Sequence, residues 1–176
     1  MELFNEEHMD QETQKLFSGL NELLEEFFRA ERLYYDAAED LQQVDFKRFL
    51  NHESVNRNRF ATKLIFALSQ AGVDPSRLSV PKGNKNRTAI DTKNILEKTE
   101  LDNVLTRCYK QDTKVIQGID SGLAHREKFN ADIYQLLVRS KNEILASNIA
   151  LKEMQERLHA EEAKTKHTKI RRLKAI

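Results

Sequence analysis

Two prolines, five glycines, one cysteine and no tryptophan leave this 176-residue chain with little punctuation. Both prolines, Pro75 and Pro81, fall in one short stretch. Proline and glycine are the residues that most often stop helices, so the remainder is free to run in long ones. A lone cysteine, Cys108, has no partner for an internal disulfide, and nothing in the chain demands an oxidising compartment. No run approaches the roughly eighteen apolar residues that a membrane-spanning helix needs. The opening MELFNEEHMDQE is acidic and has no apolar centre, so it reads neither as a signal peptide nor as a transit peptide. Cytoplasm is the expected location. No Gly-rich phosphate loop, zinc-spaced cysteine set or nucleophile motif is present.

What the chain has in quantity is charge interleaved with aliphatic and aromatic side chains: 32% charged and 39% hydrophobic. That pairing suits amphipathic helices and is too apolar for disorder. The length fits one domain with a sizeable core. A net charge of +1 conceals an acidic beginning (Glu2, Glu6, Glu7, Asp10, Glu12) and a basic end (Lys164, Lys166, Lys169, Arg171, Arg172, Lys174). Such an end is either a solvated helix terminus or a tail for an anionic surface or a protein partner.

Helical spacing of apolar residues recurs almost throughout. A first helix is expected over 19–41, from Leu20 and Leu24 through Phe27 and Tyr34 to Leu41. A tight turn follows with Asp45 as its N-cap, then a second helix over 46–71 that stops at Gly72. Residues 72–93 hold both prolines and form the one long connection. A third helix is expected over 94–120, a short turn at Gly122, and a fourth helix from Ala124. Hairpin, long connection, hairpin is the ferritin-like order, because a plain up-down-up-down bundle needs no long link. The expected fold is therefore all-α: a ferritin-like four-helix bundle over 19–154, two antiparallel hairpins joined by a crossover. An acidic extension (1–18) precedes it and a charged, basic helical extension (155–176) follows.

Each helix carries one carboxylate where its apolar stripe calls for a core residue: Glu31, Glu53, Asp112 and Glu143, with Ile144 the alternative inner residue in the fourth. Four acids at one depth repel each other unless a cation, shared protons or basic partners offset them. Carboxylate di-metal bundles take one Glu from each of two helices and a Glu-x-x-His from each of the other two. Here the corresponding stretches read Glu53-x-x-Asn56 and Glu143-x-x-Ala146, so an ion would meet oxygen donors, with Asn56 or a tyrosine completing its shell. His52, adjacent to Glu53, is expected to point away from it. The structural alternative makes Glu53 and Arg57 a surface pair four residues apart, with Tyr34, Tyr109 or Asn56 donating to buried acids. Cys108 lies on the apolar stripe and reads as a buried, inert thiol. The basic KGNKNR (82–87) is too short to argue for nucleic acid.

Several segments together resemble a bacterial family of ferritin-like proteins of unknown function. They are LNELLEEFFRAERLYYDAAEDL (20–41), DFKRFLNHESVNRNRFATKLIFALSQAGVDPS (45–76), AIDTKNILEKTELDNVLTRCYKQDTKVIQGIDSGL (89–123) and, more loosely, LLVRSKNEILASNIALKEM (136–154). The family pattern has an acid ahead of an aromatic in the first helix (Glu31, Tyr34 or Tyr35) and a Gly after the second (Gly72). It also has an Asp-x-Lys before the third (Asp91, Lys93) and a Cys followed one turn later by an acid (Cys108, Asp112). The resemblance implies the two-hairpin bundle and no established activity. The favoured expectation is a non-catalytic bundle, or one with a degenerate metal site, that acts by self-association, as a homodimer, or by partner binding. The alternative is an iron or manganese carboxylate protein with metal-handling or oxidase activity, liganded by Glu31, Glu53, Asp112 and Glu143.

Overall fold

A computed structural model describes residues 10–39, 41, 43–81 and 98–173 of the chain. Four helices account for most of them: α1 (Gln11–Glu39), α2 (Val44–Gln70), α3 (Lys98–Leu123) and α4 (Ala131–Leu173). No strand occurs among the described residues. Among the described residues, no helix is long and apolar enough to cross a membrane.

Helix α1 begins eight residues earlier than its apolar stripe suggested. Asp10 caps it, its Oδ1 accepting from the Thr13 backbone N–H at 2.7 Å, and Leu16 is already in the core. A side-chain acceptor at the cap position satisfies one of the helix's first free N–H groups. At the next helix the expected cap is displaced. Asp45 lies inside the first turn of α2, and Gln43 holds the cap position with no side-chain bond. Asp45 instead contributes its charge to the positive end of the helix dipole.

Gly72 ends α2 as expected. It is the one described residue at positive φ (94°), the conformation that glycine alone adopts without Cβ strain. The Gly72 N–H donates to the Ser69 carbonyl and the Val73 N–H reaches back to Leu68 at 3.0 Å, while Val73 and Leu68 pack together in the core. This paired return is the Schellman arrangement. The start of the long connection is then pinned to α1. Asp74 caps a 3-10 turn over Pro75–Arg77, Leu78 is buried, and the Ser79 N–H donates to Asn21 Oδ1 at 2.7 Å. The stretches KGNKNR (82–87), Asp91, Lys93 and the expected start of the third helix at 94 lie outside the described residues, as do Met1 to Met9.

The second hairpin turns later than expected. Gly122 sits within α3, which runs on to Leu123. A Cβ there would come within 3.3 Å of Leu137 Cδ1, and one at Gly118 within 3.0 Å of Leu23 Cδ1. These glycines let neighbouring helices approach, which is a packing task rather than a turn. The reversal comes over 124–130, including a 3-10 turn over Arg126–Lys128. Asn130 caps α4, accepting from the Ile133 N–H at 2.9 Å, so α4 starts at Ala131 instead of Ala124.

The helices form a ring in which α1 packs on α2 and α3, and α4 on α3 and α2. Every adjacent pair is antiparallel. Glu31 meets Ser54 while Phe27 meets Phe60; Leu20 lies by Gly122 while Glu26 meets Gln111. Lys141 meets Asp120 while Gln155 meets Asp102; Arg59 meets Glu143 while Arg57 meets Ser147. Helices α2 and α3 consequently run the same way across the diagonal, and α2 ends at the opposite end of the bundle from where α3 begins.

The core falls into two parts. One cluster spans Leu16 to Ala30 on α1, Phe60 to Leu68 on α2, Ala71 just past its end, Val115 and Ile119 on α3, and Ile133 to Ile144 on α4. The other gathers Tyr34 to Leu41, Leu50, Leu101 to Cys108, Leu151 and Leu158. Burial of Leu158 shows α4 still contributing to the core beyond residue 154. Between the clusters lies a level of buried polar side chains.

Candidate functional site: a buried arginine–carboxylate level

Arg57 is the centre of that level. It projects from the core face of α2, one turn after Glu53 and just before Phe60, and its exposure is 0%. Its Nε and Nη2 donate to Asp112 Oδ1 and Oδ2 at 3.0 and 2.7 Å. Its Nη1 donates to Glu53 Oε2 at 2.7 Å. Nη2 also reaches Ser147 Oγ at 3.2 Å, and the guanidinium carbon lies 5.1 Å from the centre of the Tyr34 ring. One side chain thus touches all four helices: Glu53 on α2, Asp112 on α3, Tyr34 on α1 and Ser147 on α4. The planar fork of a guanidinium suits this, pairing two nitrogens with one carboxylate and leaving a third for another.

Asp112 is also fully buried and takes a third donor, Tyr34 Oη, at 2.8 Å. Tyr34 therefore serves twice, with its ring face beneath the guanidinium and its hydroxyl on the carboxylate. Such face contact with a desolvated cation is favourable. Glu53 is 5% exposed. Its Oε1 faces His52 Nδ1 at 3.0 Å and Asn56 Nδ2 at 3.4 Å. Here the expectation for His52 is corrected. Adjacent residues are about 100° apart on a helix, but the longer Glu53 side chain leans to the edge of α2 where the outward-facing imidazole can meet it. The expectation that Glu53 and Arg57 pair at the surface is corrected as well, because the pair forms in the interior.

The electrostatics follow from burial set against donors. At Glu53, burial disfavours the charged form, but Arg57 together with bonds from Ser147 and His52 holds the carboxyl below its ordinary range. At Asp112 burial is greater and Glu53 adds repulsion, so its carboxyl is pushed up despite Arg57 and Tyr34. Arg57 is held firmly in its charged form, its desolvation outweighed by Asp112 and then Tyr34 and Glu53. Burial and the nearby Asp112 charge push the Cys108 thiol up to about 12. Burial likewise raises the Tyr34 hydroxyl, with Asp112 adding to it. Neither group is poised to act as a nucleophile or base near neutrality.

Of the four acids singled out from the sequence, two meet. Glu53 and Asp112 share Arg57. Glu143 is on the outer edge of α4, between Arg59 Nη2 at 2.9 Å and Arg139 Nε at 2.8 Å, which is the outcome its neighbour Ile144, buried at 0% exposure, requires. Glu31 is half-buried on α1, and its backbone carbonyl accepts from Ser54 Oγ at 3.0 Å. Asn56 does reach Glu53. Among the described residues, no group of three or more His, Cys, Asp or Glu side chains is placed to hold a metal ion. Arg57 is the residue whose place the sequence misjudged: four residues after Glu53 it read as a surface partner, whereas it lies in the core one turn from Glu53 and just before Phe60.

A family model described as a domain of unknown function (DUF2383) matches residues 15–125. The chain belongs to this family. The match takes in Tyr34, Glu53, Arg57, Cys108 and Asp112 and ends before α4, so Ser147 lies beyond the matched region. No curated protein and no solved structure matches the chain.

Proposed function

We propose that this chain is a non-catalytic ferritin-like bundle that acts through its outer surface, by self-association or by binding a protein partner. The observation that carries this reading is Arg57. A guanidinium with no exposure stands between Glu53 and Asp112 and supplies from within the chain the positive charge that buried carboxylates need. The four helices in two antiparallel hairpins, with α2 parallel to α3, support the ferritin-like reading of the layout. The raised Cys108 and Tyr34 groups support the absence of acid–base or nucleophilic work in the interior.

Such a polar level has a structural use. An arginine whose hydrogen bonds reach three helices and whose charge rests on the ring of a fourth is fully satisfied in one register: sliding α3 by a turn would part Asp112 from Arg57, and sliding α1 or α4 would remove Tyr34 or Ser147 from the level. The test is elemental analysis of protein purified without chelators or affinity nickel, before and after incubation with iron(II) and with manganese(II). The expected result is no stoichiometric metal in either case. A stoichiometric load that disappears in Glu53→Gln would overturn the reading and favour the iron or manganese carboxylate alternative, with Glu31, Glu53, Asp112 and Glu143 as the ligands to examine.

A further inference from the structure

Helix α4 is apolar on two sides. Its core side carries Ile133, Leu137, Ile144, Leu151 and Leu158, all buried. Its solvent side carries a second row at the same three-and-four spacing: half-buried Val138, polar Asn142, and the exposed Leu145 and Ile149. Leu145 is 42% exposed and Ile149 is 62% exposed. Ala146 beside them is exposed and small. A row of this spacing is the seam along which two helices pack, with apolar side chains at alternating three- and four-residue steps.

We infer that this outer face of α4 binds α4 of a second copy of the chain, antiparallel, across a two-fold axis. The inference rests on the proposed surface-acting role and names the partner. Charge complementarity selects both the partner and its direction. Arg139, Ala146 and Glu153 are seven apart and run along one flank of the row. When Leu145 of one copy packs on Ile149 of the other, the axis lies level with Ser147. Arg139 and Glu153 then lie about two turns to either side of it, which brings Arg139 of each copy to Glu153 of the other. The two-fold repeats this pair, and Ala146 lies near the axis, where a small residue permits close approach. A parallel pairing would instead put this flank of the two copies on opposite sides of the seam and remove the Arg139–Glu153 contact. Both groups are well exposed, at 65% and 60% of their side chains, so each has room for a second contact beyond Glu143 and Arg157. A two-fold contact of this kind uses the same patch on both copies, which is how most soluble dimers close.

The experiment is sedimentation equilibrium on the full chain and its variants, with circular dichroism as the control for folding. Wild type is expected to be a dimer, and Leu145→Glu/Ile149→Glu a monomer of unchanged helicity, because both positions face solvent within the single chain. Arg139→Glu alone and Glu153→Arg alone are each expected to weaken the dimer roughly tenfold, as exposed ion pairs become repulsive twice over. The double reversal is expected to restore it. A monomeric wild type, or a dimer indifferent to Leu145→Glu/Ile149→Glu, overturns the inference. Failure of the double reversal to restore the dimer overturns the antiparallel register. Metal content is a separate readout: a dimer through another face leaves the surface-acting reading in place, whereas stoichiometric metal removes that reading and says nothing against the α4 contact.

Discussion

Replacing Arg57 by methionine keeps an unbranched stem of similar length and removes the guanidinium head with its charge. In wild type the guanidinium binds Glu53 Oε2 and Asp112 Oδ2 at 2.7 Å each, with all three side chains nearly or wholly out of solvent. With charge centres about 4 Å apart and an effective dielectric of about 20, each such pair is worth about 4 kcal/mol of Coulomb attraction. Desolvation removes several kcal/mol per ion, so the net worth of the cluster is far smaller than that sum. Removing the cation alone is a different matter, since it leaves two carboxylates buried with no counter-charge. That change should destabilise the fold by about 3–5 kcal/mol, and a chain of this length loses roughly 2–4 °C of Tm per kcal/mol. Thermal melts followed by circular dichroism should therefore show a drop on the order of 10 °C at neutral pH.

The pH dependence of Arg57→Met sharpens the prediction. Without Arg57, both carboxyls would titrate above their unfolded values in the folded protein. A carboxyl raised in this way opposes folding increasingly as pH rises above its unfolded value and fully once pH passes the folded one, so the variant should lose ground to wild type as pH rises from about 4 toward neutrality. Adding Glu53→Gln and Asp112→Asn should recover much of the loss, because no buried charge then remains. Arg57→Met with wild-type stability at every pH would refute the reasoning, as would a triple variant no better than Arg57→Met itself.

Glu53→Gln alone should lower stability near neutral pH and leave the acid end little changed. The Glu53 carboxyl is held below its ordinary range, so it stabilises the fold at pH values above its unfolded value, about 4.3, and that contribution is lost as pH falls through the lower folded value. The Tm difference between wild type and Glu53→Gln should be full at pH 6 and shrink steadily below about pH 4, as melts across that range would show; a difference independent of pH would count against the ionised pair. Cys108, wholly buried and with its thiol pushed up to about 12, should react with an aromatic disulfide reagent only as fast as the protein opens. Rapid labelling of the native chain at pH 8, at the rate of a free thiol, would contradict its placement.

Much of this architecture was legible in the order of residues. Apolar side chains at three- and four-residue spacing define α1 to α4, and Gly72 ends α2 for a reason stated in its own chemistry, since a φ of 94° suits glycine. Helix ends were harder to place, because they depend on which side chain reaches a free N–H. Asp10 and Asn130 do so, and Asp45, a plausible cap by type, does not. Gly122 was misjudged for a related reason, as a glycine that admits Leu137 and Leu20 from other helices looks in sequence like a glycine that turns the chain.

By itself, the sequence determined that the chain is helical, where its apolar faces lie, and that acids fall on or beside those faces, all of which follow from spacing along one helix. Tertiary structure alone decided what those acids meet. The rotation of each helix about its axis sends Asp112 inward and Glu143 outward, and a single residue's shift of about 100° would exchange such fates. It also turned a cation four residues from Glu53 into the centre of a level shared by four helices. Arg57 could be read in sequence as a surface partner, because nothing within α2 tells how far α1, α3 and α4 close around it.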